Sequence, residues 1–158
     1  MTYTNEQILT RMNSFLPATG LMMGMKLVQL DQEVGFVRVE YLAKPEFCNP
    51  MGSVQGGFVA AMLDDAAAYA VIAKAQSMPE FSGTRIGVPT LEFKTSFLAA
   101  AHAGPLVAEA RCLKFGRNIA FAESKLFNTD GKLLAVMSTT VMPKLLTTPV
   151  TLVERPAA

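Results

Sequence analysis

The amino-acid sequence predicts an α+β fold: one long central helix wrapped by a curved antiparallel sheet of about six strands. Three observations carry the prediction. Only one segment, Val54 to Lys74, is long and apolar enough to be a buried helix. The segments that follow it change to a period of two, the mark of half-buried strands. Those strands succeed one another across short turns, which favours antiparallel pairing. Helix and sheet are therefore segregated along the chain. One helix covers one face of six strands, so the other face needs a partner or solvent.

Each element has its own local signal. Asn5 to Leu16 reads as a short amphipathic helix, with Ile8, Met12 and Phe15 at helical spacing and Thr4 and Gln7 as a capping box. Pro17 and Gly20 end it. The Met-rich stretch Leu21–Leu30 reads as a strand, and Asp31-Gln32-Glu33 as the turn after it. Val34–Leu42 is the next strand, with Val37, Val39 and Tyr41 on one face and Phe36, Arg38 and Glu40 on the other. Pro45–Ser53 is a loop of turn residues. The long helix carries small residues all round, among them Gly56, Gly57, Ala60, Ala61, Ala66, Ala67, Ala68, Ala70 and Ala73. That pattern belongs to a helix buried on most faces. Ser77–Gly87 is a loop. Leu91, Phe93, Thr95 and Phe97 then alternate with Glu92, Lys94 and Ser96. Pro105–Leu113, Ile119–Phe127 and Leu133–Met142 complete the strands, with turns at Gly116-Arg117-Asn118 and Asn128-Thr129-Asp130-Gly131. Residues 143–158 read as a surface tail, interrupted by Pro149 and Pro156. The whole is one domain, 1–158, with its core at about 20–142.

Composition removes several function classes. The chain has 158 residues, 51% hydrophobic and 17% charged, which is incompatible with disorder of the whole. Its formal net charge is +1, so it has no footprint for nucleic acid or an anionic membrane. Two cysteines, Cys48 and Cys112, make neither a disulfide scaffold nor a four-cysteine zinc site. One histidine, His102, leaves no His pair for a metal and a single candidate base for a Ser-His-Asp triad. The N-terminal residues MTYTNEQ lack a secretory pattern. Asp64 and Asp65 interrupt the longest apolar stretch, against a membrane span. A reduced, cytoplasmic protein is expected, with no metal and no cofactor of its own.

The segment that invites chemistry is Asn49-Pro50-Met51-Gly52-Ser53-Val54-Gln55-Gly56-Gly57, leading into the helix with Asp64-Asp65. Paired glycines at a helix start let a ligand approach unpaired N–H groups at the positive end of the dipole. Such a place suits a developing oxyanion, although paired glycines also serve close packing alone. An aspartate among alanines is costly unless paired, hydrogen-bonded or used; the helical neighbours of Asp64 are Ala60, Ala61, Ala67 and Ala68, so a carboxylate there is expected to be partly desolvated and more basic than in water. The residues alone do not separate Asp64 from Asp65, nor either from an aspartate that faces solvent or a lysine. Lys114, Arg117 and Asn118 lie at a turn that suits either phosphate or solvent. His102 reads as an exposed loop residue and Cys48 as a small buried hydrophobe.

The stretch Asn49–Ala68, followed by Gly87-Val88-Pro89-Thr90-Leu91-Glu92-Phe93, resembles the hotdog-fold acyl-CoA thioesterases. The likeness is to the phenylacetate-degradation type and its 4-hydroxybenzoyl-CoA thioesterase relatives. In that family an Asn or Gln precedes a His-Gly-Gly helix start, and an acid follows the first glycine by eight positions. Asn49, Gly56 and Asp64 stand at those spacings. The resemblance implies Asp64 as nucleophile or general base, and the Gly56 N–H as the group polarising the thioester carbonyl. It implies Asn49 as an orienting hydrogen-bonder, Thr90 near the attacking water, and Gly57, Lys114, Arg117 and Asn118 on the substrate side. It also implies a homodimer with shared active sites, joined as a dimer of dimers. Gln55 replaces the usual histidine; it forms hydrogen bonds but does not titrate. The substitution keeps a non-catalytic acyl-CoA or lipid-binding module as the alternative. An acyl-thioester hydratase or dehydratase ranks lower, because the lone His102 is outside the motif. Phe58, Met62, Tyr69 and Phe93 are candidates for the acyl tunnel, and the acyl group is expected to be aryl or medium-chain.

Overall fold

The structure, a computed structural model, describes residues 3–147 and 151–154. In chain order the elements are α1 (Asn5–Ser14), β1 (Phe15–Leu16), α2 (Ala18–Met22), β2 (Lys26–Asp31), β3 (Phe36–Ala43), a 3-10 turn (Pro45–Phe47) and α3 (Gly56–Gln76). They continue with β4 (Ile86–Gly87), β5 (Thr90–Phe97), β6 (Gly104–Phe115), β7 (Ala120–Phe127), β8 (Leu133–Val141), β9 (Lys144–Leu145) and β10 (Val153–Glu154). Six strands form one sheet in the order β2-β3-β6-β7-β8-β5, with every neighbouring pair antiparallel. The expected plan of two strands, one long helix and four strands is the plan observed.

The sheet curves around α3. Met62, Leu63, Ala66, Ala67, Ala70, Val71 and Ala73 have no exposed surface. Alanines on the buried side let the helix axis approach the strands, and two polar tethers hold it there. The Ser124 hydroxyl donates to the Leu63 carbonyl at 2.9 Å, and the Tyr41 hydroxyl lies 2.9 Å from the Met62 carbonyl. With 21 residues and apolar character, α3 meets the length and hydropathy of a membrane span, yet it serves here as the core of the sheet. Val37, Val39 and Tyr41 face it, as do Leu106, Ala108, Ala110 and Cys112. The opposite face places Arg38 beside Glu109 and Glu109 beside Lys125, with Arg111 beside Glu123 in the adjacent row. Arg38 and Glu109 form an ion pair, one of the cross-strand pairs that suit a face turned to water.

Several boundaries differ from expectation. The Thr4–Gln7 capping box is present, but α1 stops at Ser14. Leu16 precedes Pro17, and a residue before proline is pushed out of the helical region. Phe15–Leu16 instead pair with Val153–Glu154. The stretch 21–30 is not one strand. Residues 18–22 form α2, and Gly24 reverses the chain at φ +63° before β2 begins. There a Cβ would lie 2.8 Å from the Leu42 Cβ, so both the turn and the close approach require glycine. The β2–β3 turn reaches Gly35, so Val34 lies in the turn rather than in the strand. Val54 precedes α3 and bridges to Cys48. Part of the expected tail is held: β9 pairs with β4, and β10 with β1. Pro143 falls just outside β9, where its missing N–H interrupts no pairing. Pro149 and Pro156 lie outside the described residues.

Candidate active site

The sequence-predicted residues fall into two groups on α3. The first surrounds its N-terminus. Asn49 closes a tight loop: its Oδ1 accepts from the Met51 N–H at 2.9 Å and from the Ser53 N–H at 3.3 Å, and its Nδ2 donates to the Ser53 hydroxyl at 3.0 Å. This asparagine therefore shapes the loop that delivers the chain to the helix. Gln55 is the N-cap residue; its side chain is exposed and makes no capping bond. The Gln55 carbonyl accepts from Phe58 and Val59. The Gly56 and Gly57 N–H groups have no partner among the described residues, so two donors stand open at the positive end of a 21-residue helix.

Phe97 lies over Gly56. A Cβ on Gly56 would come within 3.1 Å of the Phe97 Cζ, whereas one on Gly57 would meet nothing within 4 Å. Gly56 thus makes room for an aromatic ring, and Gly57 faces open space. A cavity of about 380 Å³ beside Gly56 is lined by Val54, Val59, Phe97, Ala101 and Leu134, among others. His102 is exposed as expected, but its Nδ1 lies 3.3 Å from the Gly52 carbonyl. The Val54 N–H donates to the Ala101 carbonyl at 2.8 Å. The lone histidine, remote from the motif in sequence, therefore borders it in space. Only the fold brings Phe97 and His102 to this place.

The second group lies two turns further along α3. The Thr90 hydroxyl donates to Asp64 Oδ1 at 2.8 Å, joining the first residue of β5 to the helix. Thr90 is in register with Val141, and Val141 with Ala120. That row leads to the turn before β7, where Arg117 and Asn118 are exposed, with Lys114 exposed on the strand before it. Asp65 points elsewhere: its Oδ2 lies 3.3 Å from the Tyr41 hydroxyl oxygen of β3. Burial pushes the Asp65 carboxyl up to about 7; a Tyr41 hydroxyl donating to it would pull against this, and the Asp64 charge pushes further up. The desolvated carboxylate expected at Asp64 is found instead at its neighbour Asp65. Burial first, then the Asp65 charge, also raises Tyr41 and Tyr69 above the ordinary phenol range.

Of the tunnel candidates, Met62 is fully buried, Phe58 stacks on Phe47 with ring centroids 4.2 Å apart, and Tyr69 lines a separate groove with Ile8, Met12 and Ile72. Phe93 is exposed. Cys48 is half-buried beside Asn49, and Cys112 is buried; both are free thiols.

The fold, one long helix held in a curved antiparallel sheet, matches that of known thioesterases. The thioesterase superfamily model matches residues 51–135, more than half of the chain. The chain belongs to the thioesterase superfamily and has the hotdog fold. It is similar to a candidate thioesterase of Ralstonia eutropha JMP134, described as phenylacetic acid degradation-related. Identity is 34% over 88% of this chain and 99% of that one, with a TM-score of 0.74. The E. coli PaaI protein of the phenylacetic acid degradation operon shares 20% identity over 87% of this chain and 89% of its own, with a TM-score of 0.69. A Streptococcus mutans UA159 protein solved with acetyl CoA shares 19% over 77% and 89%, with a TM-score of 0.65. Among curated proteins, none matches the chain significantly.

Proposed function

We propose that this thioesterase-superfamily chain hydrolyses an aryl- or medium-chain acyl-CoA to the free acid and CoA in the cytoplasm, with no metal and no cofactor beyond the CoA of its substrate. The observation that carries the reading is the separation of two complementary parts on one helix. Open N–H donors stand at Gly56 and Gly57, and a carboxylate fixed by Thr90 stands at Asp64. The donors suit the oxygen of a thioester carbonyl, whose negative charge grows as the tetrahedral intermediate forms. Asp64 either takes the proton of an attacking water or attacks the carbonyl itself to give an acyl anhydride that water then opens. In the first route the water oxygen bonds to the carbonyl carbon, the C–S bond breaks, and the proton held by Asp64 passes to the departing thiolate. Asn49 orients the carbonyl end of the site, and Gln55 offers a hydrogen bond without a charge change. Lys114, Arg117 and Asn118 suit CoA phosphates.

The separation also implies a dimer. Gly56 and Asp64 are eight residues apart, about 12 Å along the helix axis, too far to act on one carbonyl. A two-fold axis that brings Asp64 and Thr90 of one protomer to Asn49 and Gly56 of the other completes two sites. The edge strand β5 supports the pairing. Among the described residues its outer edge has no neighbour in the sheet, and Leu91, Phe93 and Phe97 are 54%, 46% and 57% exposed. Two such dimers are proposed to join as a tetramer. The acetyl CoA held by the Streptococcus mutans relative supports CoA as the leaving group.

The test is thiol release from a panel of aryl- and medium-chain acyl-CoAs. Absence of turnover across the panel, with acyl-CoA binding retained, would establish the second reading, a non-catalytic acyl-CoA-binding protein. The non-titrating Gln55 at the helix start is the feature that favours it.

A further inference from the structure

The Asp64–Asp65 pair holds a second relationship that the proposed reaction does not use. Tyr41 is buried, 2% exposed, and points from β3 at α3. Its hydroxyl oxygen lies 2.9 Å from the Met62 carbonyl and 3.3 Å from Asp65 Oδ2. A phenol has one proton and two lone pairs, so it can donate to only one of these oxygens. An ionised carboxylate that accepts a hydroxyl proton draws the donor to roughly 2.5–2.7 Å. The carboxyl contact is longer than that, and the shorter contact is to the amide carbonyl. The Tyr41 proton therefore goes to Met62. Without a second proton, two lone-pair-bearing oxygens would face each other in a partly buried place, a costly arrangement.

We propose that Asp65 carries a proton, in a chain that runs from the Asp65 carboxyl to the Tyr41 oxygen and from the Tyr41 hydroxyl to the Met62 carbonyl. Asp65, neutral in this chain, sets no second charge beside Asp64 and is a positioning residue. The ionisable groups facing Asp65 agree with this. They are Tyr41 from β3 and Asp64 and Tyr69 from α3; among the described residues no cation pairs with it. Burial, and after it the neighbouring Asp64, favours the protonated form of Asp65. The protonated carboxyl also accounts for an aspartate in the core-facing helix without an ion pair. The consequence for catalysis rests on the reading of Asp64 given above; the proton assignment does not.

Isotope-edited infrared spectroscopy of the full chain, labelled with ¹³C-carboxyl aspartate, tests it without any turnover. At pH 6 the wild type is expected to show a protonated carboxyl band that Asp65→Asn removes and Asp64→Asn retains. Between pH 6 and pH 8 that band is lost. The carboxylate signal removed by Asp64→Asn is expected to be the same size in the wild type and in Asp65→Asn. Tyr41→Phe provides an independent check: it deletes the acceptor oxygen and shifts the protonated band while leaving the Asp64 signal in place. An ionised Asp65 at pH 6, a protonated band that belongs to Asp64, or a band indifferent to Tyr41→Phe each overturns the assignment. A chain with this proton count and no thiol release sinks the proposed function alone. An active chain with an ionised Asp65 sinks the proton assignment alone.

Discussion

The Thr90 hydroxyl donates a 2.8 Å hydrogen bond to Asp64 Oδ1 across 26 residues of sequence. The bond occupies one carboxylate oxygen and fixes the rotamer of the side chain. Thr90 sits where the β5–β8 register shifts, between Thr90 and Glu92. A register shift of this kind re-aims a side chain at a strand end. The other oxygen of Asp64 has no partner among the described residues and stays available for the proposed reaction.

Asp64→Asn is expected to lower thioester turnover by at least roughly a hundredfold, the loss typical of a removed base, while thermal unfolding changes little. Asparagine keeps the shape and still accepts from Thr90, but it neither deprotonates water nor attacks a carbonyl. Thr90→Ala should cost about tenfold or more, since a hydrogen bond to a charged group is worth roughly 1.5–3 kcal/mol. Turnover of acyl-CoA by the two variants, beside their unfolding curves, checks both. Normal turnover in Asp64→Asn, with loss in Asp65→Asn, would transfer the role to Asp65.

Gly57→Ala separates packing from ligand approach. Nothing lies within 4 Å of a Cβ built on Gly57, and its φ lies outside the left-handed range. Alanine in a helix is favoured over glycine by roughly 0.5–1 kcal/mol, so the variant should be as stable as the wild type or slightly more so. If a thioester lies against this backbone, the added methyl should cut kcat/KM by about tenfold or more through lost carbonyl contact. A more stable variant with unaltered kinetics would place the substrate elsewhere.

The large elements were legible because their signals are local. A change from helical to two-residue period marks α3 against the strands, and the Thr4–Gln7 box marks α1. The short elements were not. A two-residue strand such as β1 or β9 has no period, and its pairing is decided by distant backbone. The site followed the same division. Asn49, Gln55 and Gly56 are close in sequence and readable as a motif. Phe97 over Gly56 depends on where β5 ends, and His102 beside Gly52 on where the 98–103 loop returns. The alanine neighbours of Asp64 pointed to it as the desolvated carboxylate, whereas burial raises the carboxyl of Asp65. Asp64 and Asp65 differ by about 100° around the axis, and only the strands decide that one meets Thr90 and the other Tyr41.

Asp65 should make stability depend on pH. Its carboxyl is raised from 3.8 to about 7 on folding, with burial the largest cause. Between those values the folded chain binds a proton that the unfolded chain has released. Stability therefore falls as pH rises from about 4 to about 7, and the loss is complete above that. Asp65→Asn removes this contribution, so its stability relative to the wild type should be greater at pH 8 than at pH 5, by about 1 kcal/mol or more. Urea unfolding at the two pH values measures the difference. An equal change in both proteins would show that another group is responsible.

Gln55→His is expected to be tolerated and to match or exceed wild-type turnover. The Gln55 side chain is exposed and makes no capping bond, so its replacement breaks no contact that holds the loop. A change at such a position is usually within about 0.5 kcal/mol. The helix N-terminus favours a neutral imidazole over a charged one, so the new side chain remains a hydrogen-bonding group. Steady-state kinetics and unfolding curves together decide the matter. Loss of all turnover in a normally folded variant would show that the pocket is matched to glutamine.

The proposed shared site makes the most specific prediction, because it demands rescue between two inactive chains. Asn49→Ala strips the hydrogen bonds that close the loop before α3, and Asp64→Asn strips the carboxylate partnered by Thr90. In a mixed dimer one site draws its loop from the Asp64→Asn chain and its aspartate from the Asn49→Ala chain. Both contributions are native, and any damage to the altered loop is confined to the other site. Random pairing at equal amounts makes about half the dimers mixed, and one site in two of those is native. Roughly a quarter of wild-type sites should therefore return when the two variants are unfolded together and refolded. Turnover per chain, measured alongside a mass-spectrometric count of mixed dimers, gives the fraction. If mixed dimers form and activity stays at the level of the parents, Asn49 and Asp64 act within one chain. The separation of about 12 Å along α3 would then have to be bridged by the substrate itself rather than by a second protomer.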